Sequence, residues 1–393
     1  MKITINRDVL LEGLETTKDS VGKQTALPVL KNVKLTTKDG ALKLFTTNLS
    51  TGTVVSLRDL SIFSEGEALC DASKLMAVVK ELPEAGIRIE TDENGHLLME
   101  CEKSHFRLFT MSPEEFPSEP EIPEFEFFPI NDRFFQYLRN VKYAASRQEN
   151  RFNINGVFLG TEVVATDGHR MAVIRRKLGF NNILVPLDFV NLILKLRNRD
   201  DGNTFQAGCS KNMIFIKSED LILFGRLIDA EFPDYSQVIP HDSSRYALME
   251  RKGLIQAIKR NMLMSGKNYE MKFEFNPCCL IISSFTPDLG DASEEMEIEY
   301  RSETDKNNSF AIGINGKYLL DLLEVLEGEK VGIKIGTELS PIMAEEGDFI
   351  HILMPLRLTE SKPQTESEEE LESEAEPEIE VKQNTTVEME EVN

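Results

Sequence analysis

Six times in this chain an apolar doublet is followed, at helical spacing, by a further apolar residue: Leu10-Leu11-Leu14, Leu75-Met76-Val79, Phe134-Phe135-Leu138, Phe189-Val190-Ile193, Leu254-Ile255-Ile258 and Leu319-Leu320-Leu323. Successive starts lie 65, 59, 55, 65 and 65 residues apart. Any amphipathic helix contains such a fragment, so the information is in the even spacing, which commits the chain to a repeated unit. Strand-like runs with helix-starting residues precede most doublets: ITIN before the first, ALCD before the second, FAIGIN before the last. Alternating or β-branched runs with turn signals follow, as in VKLTTKDGALKLFTT around Asp39-Gly40 and IRIETDENGHLLMECEKSHFRLFTM around Asn94-Gly95.

The unit therefore reads β-α-β-β-β. Six units of about 60 residues pair into three domains of about 120. The expected limits are 1–122, 123–243 and 244–358, with breaks in the Pro/Glu-rich MSPEEFPSEPEIPEFEF and in VIPHDSSRYAL. The expected fold class is α+β, each domain carrying two helices and two antiparallel sheets.

Charge is unevenly distributed. The formal charge is -23, from 44 Lys+Arg against 67 Asp+Glu, which by itself argues against a basic nucleic-acid binder. Residues 359–393 hold thirteen Glu, two Lys and no aromatic residue, the composition of a disordered acidic tail. Without them the body carries -12. Within it, Asn131 to Arg151 is net +3 and Glu250 to Lys267 net +4, whereas Asn6 to Ser20 and Asn315 to Lys330 are each -2. No apolar run approaches the roughly 18 residues of a membrane helix, and the N-terminus lacks the features of a signal peptide, so a cytoplasmic location is expected. Five scattered cysteines form no CxxC pair, and no cofactor or metal site is read from the sequence.

Helix size tests whether the repeat closes into a ring. With helices about 10 Å wide lining the inside, six give a hole only about 10 Å across, and twelve, from two chains, about 28 Å. Duplex DNA is about 20 Å across, so a head-to-tail dimer accommodates it.

Four motifs then carry a resemblance: TALPVLKNV at 25–33, ATDGHRMAV at 165–173, EFPDY at 231–235 and HILMPLRL at 351–358. In this combination, and in order from Met1 to Leu358, the chain resembles the bacterial DNA polymerase III β subunit family. The resemblance implies a DNA-clamp fold closed as a homodimeric ring. It implies a processivity factor without an active site that slides on double-stranded DNA regardless of sequence. Implied partners are the DNA polymerase III catalytic subunit, other proteins bearing a clamp-binding peptide, and a separate ATP-dependent clamp loader, since the chain has no P-loop of its own.

Carried over by position, the family's partner pocket falls on Ile154, Thr166, Gly168, His169, Arg170, Met171, Pro233, Val238, Ser340, Ile352, Met354, Pro355, Leu356, Arg357 and Leu358. DNA contacts fall on Lys23, Gln24, Lys74, Gln148, Arg151, Phe152 and Asn153, and the dimer seam on Phe106, Leu263 and Met264. Two other classes compete. Asp167 and His169 with a nearby serine suggest a hydrolase, although no GxSxG elbow accompanies them. A scaffold that uses the pocket without encircling DNA is the other, and a mass measurement in solution separates it from a dimeric ring.

Overall fold

The computed structural model describes residues 1–358 except 23–24, 123–125, 149, 197–203, 241–242 and 305–308. Lys23, Gln24 and the acidic stretch 359–393 lie outside the described residues.

Six α-helices occur among the described residues: α1 (Arg7–Thr17), α2 (Ala72–Glu81), α3 (Asp132–Val141), α4 (Leu187–Leu196), α5 (Arg251–Asn261) and α6 (Gly316–Val325). Each follows a strand directly or, for α3, after the single residue Asn131, for example Lys2–Asn6 before α1 and Phe310–Asn315 before α6. The switch is local chemistry. Asn6, Asp71, Asn131, Glu250 and Asn315 each accept a backbone N–H of the first helical turn through the side chain, satisfying a donor the helix leaves unpaired. The apolar triplets point inward, with Leu10, Leu14, Leu75, Val79, Leu254 and Ile258 all buried. The helices pack as three successive pairs, α1 with α2, α3 with α4 and α5 with α6, each over its own apolar cluster.

Among the described residues all strand pairings are antiparallel, and the strands form four sheets. Two sheets have nine strands and cross from one repeat to the next. The first is joined by Thr51–Leu57 against Leu221–Arg226, with Phe224 opposite Gly52. The second is joined by Arg170–Ile174 against Phe349–Leu353, with Ala172 opposite His351. Two smaller sheets remain. A five-stranded one ends at the free edge Ser104–Leu108, and a four-stranded one ends at the free edge Gly290–Glu297. The hairpin at Asp39-Gly40 has positive φ at both residues, 52° and 76°, as a two-residue turn matched to strand twist requires.

Each nine-stranded sheet carries a second apolar cluster on the face turned away from the helices. On the first it is Phe45, Val54, Leu69, Phe116, Phe215 and Phe224. On the second it is Val164, Met171, Val173, Met343, Ile350 and Ile352.

Candidate peptide-binding cavity and its buried support

The second crossing holds a cavity of about 390 Å³ lined by Arg151, Asn153, Ile154, Thr166, Gly168, Arg170, Met171, Pro233, Asp234, Tyr235, Val238, Ile352 and Met354. That volume lies within the range of small-ligand and short-peptide pockets.

The TDGHR turn builds one wall. Gly168 has φ +87, and a Cβ there would lie 3.2 Å from Arg151 Nη1, so glycine suits both the backbone and the space. Asp167 organises the turn by accepting N–H groups from His169 (2.9 Å) and Arg170 (3.0 Å) through Oδ1 and Arg170 Nε through Oδ2 at 2.9 Å. With its carboxylate so engaged, Asp167 does not orient the His169 ring as a hydrolytic triad needs. That ring instead stacks on Tyr318, centroids 6.3 Å apart. The His169 carbonyl accepts the Met354 N–H at 2.8 Å, fixing the C-terminal strand beside the turn.

EFPDY forms the opposite wall. Phe232 stacks on Phe158 at 5.0 Å, and Tyr235 donates to Glu162 Oε2 at 2.8 Å. Burial, then this bond to Glu162, pushes the Tyr235 phenol above its ordinary value. Asp234 accepts from Ser236 and Gln237, and these bonds hold its carboxyl below the usual range.

Beneath the cavity lies a network of ionisable groups. Arg170 donates to Asp321 Oδ2 on α6 at 2.6 Å and lies over the rings of Tyr318 (4.3 Å) and Tyr143 (5.2 Å). Lys317 adds a bond to the other Asp321 oxygen at 2.6 Å. Burial opposes the Arg170 charge, but the Asp321 hydrogen bond and the Asp167 and Asp321 charges outweigh it and raise its pKa. Next to it, Tyr143 Oη and His351 Nδ1 are 2.8 Å apart. His351 is 1% exposed, and its Nε2 has no hydrogen-bond partner. Burial lowers its pKa to about 4.

The structure thus gathers Ile154, Thr166, Gly168, Arg170, Met171, Pro233, Val238, Ile352 and Met354 around one cavity. The other residues named for the pocket stand elsewhere. His169 faces Tyr318. Ser340 pairs with Thr337 at 2.7 Å. Leu356 bridges to Gly313 of the adjoining sheet, leaving Pro355 half-buried and Arg357 and Leu358 exposed. Arg151 and Asn153, named for DNA, line the cavity as well. Lys74 is exposed on α2, Gln148 is exposed after α3, and Phe152 lies in the turn Phe152–Ile154. Phe106 is 38% exposed on its edge strand, Leu263 is 71% exposed in the turn after α5, and Met264 beside it is half-buried.

Sequence reasoning passed over Tyr143, Tyr318, Asp321 and His351, which support the cavity. It also passed over Phe285 and Leu289, exposed beside the free edge strand. Lys317 and Asp321 show the i,i+4 spacing of a helix pair. No comparable signal marks a lone buried tyrosine or histidine.

Comparison with known proteins follows the same three-part order. Family models described as the N-terminal, central and C-terminal domains of the DNA polymerase III beta subunit match residues 1–120, 130–234 and 236–357. A beta sliding clamp of Rickettsia bellii is 28% identical, and one of Pseudomonas aeruginosa 29% identical. Each is matched over its whole length by 91% of this chain. A crystal structure of the DNA polymerase III subunit beta from Pseudomonas aeruginosa covers 91% of this chain with all of its own, at 28% identity and a TM-score of 0.84. The Bacillus subtilis DNA polymerase sliding clamp shares the fold, covering the same 91% with all of its own at 24% identity and a TM-score of 0.85. The chain belongs to the bacterial DNA polymerase III beta subunit family, the beta sliding clamps.

Proposed function

We propose that two copies of this chain close head to tail into a ring around duplex DNA, and that partner proteins dock a short peptide in the cavity at the second crossing. The family's role as a DNA clamp and non-catalytic processivity factor is this chain's role; ring closure and the partner site are our own reading. We place the domain limits near residues 122 and 243.

Strand arithmetic carries the ring. Both crossings within the chain are nine-stranded sheets, and the leftover sheets have five and four strands, each with an open edge. Joining the Ser104–Leu108 edge of one copy to the Gly290–Glu297 edge of another makes a third nine-stranded sheet and removes two free edges, which otherwise invite uncontrolled pairing. Charge favours this join: the first edge presents His105 and Arg107, the second Asp291, Glu295 and Glu297. Phe106, Leu263, Phe285 and Leu289 are exposed near the same edges and supply apolar area to bury.

Within such a ring the phosphate-facing charge comes from α3 and its continuation. Arg139, Lys142 and Arg147 stand together there; burial first, then the charges of Arg139 and Arg147, lowers the Lys142 pKa. The excess on α5 is partly spent inside the molecule, Lys259 on Glu324 and Arg260 on Glu294. Phosphate contacts carry no sequence information, which suits sliding.

For the cavity, Ile154, Met171, Val238, Ile352 and Met354 are surfaces against which apolar side chains lose their water, and the two methionines adapt to different partners. We assign it the DNA polymerase III catalytic subunit, the clamp loader and other proteins bearing a clamp-binding peptide. One pair of variants tests both parts. Leu263→Asp with Phe285→Asp should give a folded species near 44.6 kDa instead of twice that, because charge replaces apolar area at each seam. Met171→Glu should leave the dimer intact and abolish binding of the polymerase catalytic subunit. A monomeric wild-type chain at micromolar concentration contradicts the ring, and normal polymerase binding by a folded Met171→Glu dimer contradicts the cavity assignment.

A further inference from the structure

Arginine is an odd lining for a cavity whose other walls include Ile154, Met171, Val238, Ile352 and Met354. A guanidinium turned into that space would hold water there, since a buried charge is costly unless it is paired, and an apolar guest could not take the place of that water. Arg170 is held elsewhere. Its side chain is 12% exposed; Nε donates to Asp167 at 2.9 Å, Nη1 donates to Asp321 at 2.6 Å, and the group lies over the rings of Tyr318 and Tyr143. Tyr143 is fixed in turn by its 2.8 Å contact with His351 Nδ1.

Alternation along the strand Arg170–Ile174 gives the direction. Met171 and Val173 belong to the apolar cluster on the cavity face, Ala172 and Ile174 to the cluster under α3 and α4, so Arg170 leaves on the helix side of the sheet.

The two carboxylates that meet it there are not equivalent. Asp167 is three residues away in the same turn, so this pair travels with the turn wherever the turn goes. Asp321 comes from α6, 151 residues later. Its neighbours Leu319, Leu320, Leu322 and Leu323 are buried in the third helix pair's own cluster, so a rigid element presents the carboxylate. Lys317, one turn earlier, donates to Oδ1 at 2.6 Å and leaves Oδ2 to Arg170. The Arg170–Asp321 bond thus ties the turn that begins this strand to the other half of the nine-stranded sheet, across the join where Met171 stands opposite Ile352.

We propose that Asp321 is a positioning residue for the cavity: by holding the Arg170 guanidinium on the helix side of the sheet, it sets the TDGHR turn and keeps the floor at Met171 and Ile352 open to apolar side chains. The proposal rests on the reading of this cavity as the partner site. Asp321 is not among the residues that line the cavity and acts through Arg170. Asp321→Asn keeps the size and removes the charge. Arg170 then keeps Asp167 but is free to turn toward the cavity, and a guest must displace it.

The test uses the full chain, with binding of the polymerase catalytic subunit and the methyl signals of Met171 and Met354 as readouts. Asp321→Asn should stay folded at the wild-type mass, bind the subunit about three- to tenfold more weakly, and move both methionine signals. Lys317→Met, which removes the partner of the other oxygen and leaves Arg170 bonded, should stay within about twofold of wild type. Added to Arg170→Met, Asp321→Asn should bring no further loss, because its effect passes through that side chain. A merely stabilising Asp321 gives a different pattern, a lower denaturation midpoint with wild-type affinity and unmoved methionines, and that result overturns the proposal. So does a loss that adds in full to that of Arg170→Met. If Met171→Glu abolishes polymerase binding while Asp321→Asn leaves it unchanged, the partner site stands and the positioning role falls. If Met171→Glu binds polymerase normally, the partner reading falls and the methionine signals decide alone: moved by Asp321→Asn, the positioning role stands as a property of the cavity, and unmoved, it falls too.

Discussion

The two nine-stranded sheets are joined in the same way and finished differently. At the first join the face away from the helices is closed. Phe224 lies over Gly52, where any Cβ would sit 2.2 Å from its ring, and Phe116 from the connecting segment packs edge-on against Phe45 at 5.3 Å. At the second join the connecting segment contributes Phe232 and Tyr235, which lean to one side on Phe158 and leave the cavity open between themselves and Met171. Beneath the sheets the contrast reverses. Each join has an exposed ion pair, Arg58 with Asp220 and Arg176 with Asp348, and the second adds the half-buried Arg170, Asp167 and Asp321 cluster and the Tyr143–His351 pair. Topology alone therefore does not make a cavity here. What the connecting segment covers decides it, and an open groove is held in shape by polar groups fixed from below.

Matched substitutions put the contrast to a test. Phe116 is 5% exposed, and Phe116→Ala should cost about 3–5 kcal/mol, as in other closed cores. Half-buried Phe232 should cost less than half as much on the same change. Equal losses in denaturant unfolding would mean that the two joins are packed alike.

Arg170→Leu takes the guanidinium from two carboxylates whose side chains are 14% and 19% exposed, leaving Asp321 to Lys317 and Asp167 to two backbone N–H groups, and should cost about 2–3 kcal/mol. Arg58→Ala, in a pair whose side chains are 59% and 46% exposed, should cost less than about 1 kcal/mol. A loss for Arg58→Ala as large as that for Arg170→Leu would remove the distinction between buried and surface pairing.

The third prediction concerns pH. His351 has its pKa lowered from 6.5 to about 4 by burial. Between those values the unfolded chain binds a proton that the folded chain does not. Stability is therefore intact above pH 6.5 and falls as pH drops toward 4, by about 2 kcal/mol at pH 5 relative to pH 8. His351→Phe should be less stable at pH 8, having lost the bond to Tyr143, and should show a smaller decline between pH 6.5 and 4. An unchanged slope would show that other groups carry the acid sensitivity.

Much of this was legible before any coordinates. The six helices begin at residues 7, 72, 132, 187, 251 and 316, close to the doublets, because a buried helical stripe must repeat with the unit that buries it. The TDGHR and FPDY walls of the cavity were legible too, since a positive-φ glycine and a proline-aromatic turn leave a local trace. The far end of HILMPLRL was harder to place. Beyond Met354 the chain leaves the cavity to pair Leu356 with Gly313, a choice between two neighbouring surfaces that spacing does not encode. Nor does sequence pattern reveal His351, whose neighbours in the strand are apolar in the ordinary way of a buried strand. Phe285 ends the outward face of the strand Cys279–Thr286 and Leu289 lies in the turn after it, so their shared exposure beside the free edge emerged only from the fold.

The central claim is that this clamp holds DNA by encircling it, and topology gives the most direct test. Rings loaded on nicked circular DNA should stay bound through high-salt washing, which screens phosphate contacts, and should be released when a single cut makes the circle linear and opens an end to slide from. Equal loss from circular and linear DNA would contradict the encircling ring, whatever the affinity in low salt.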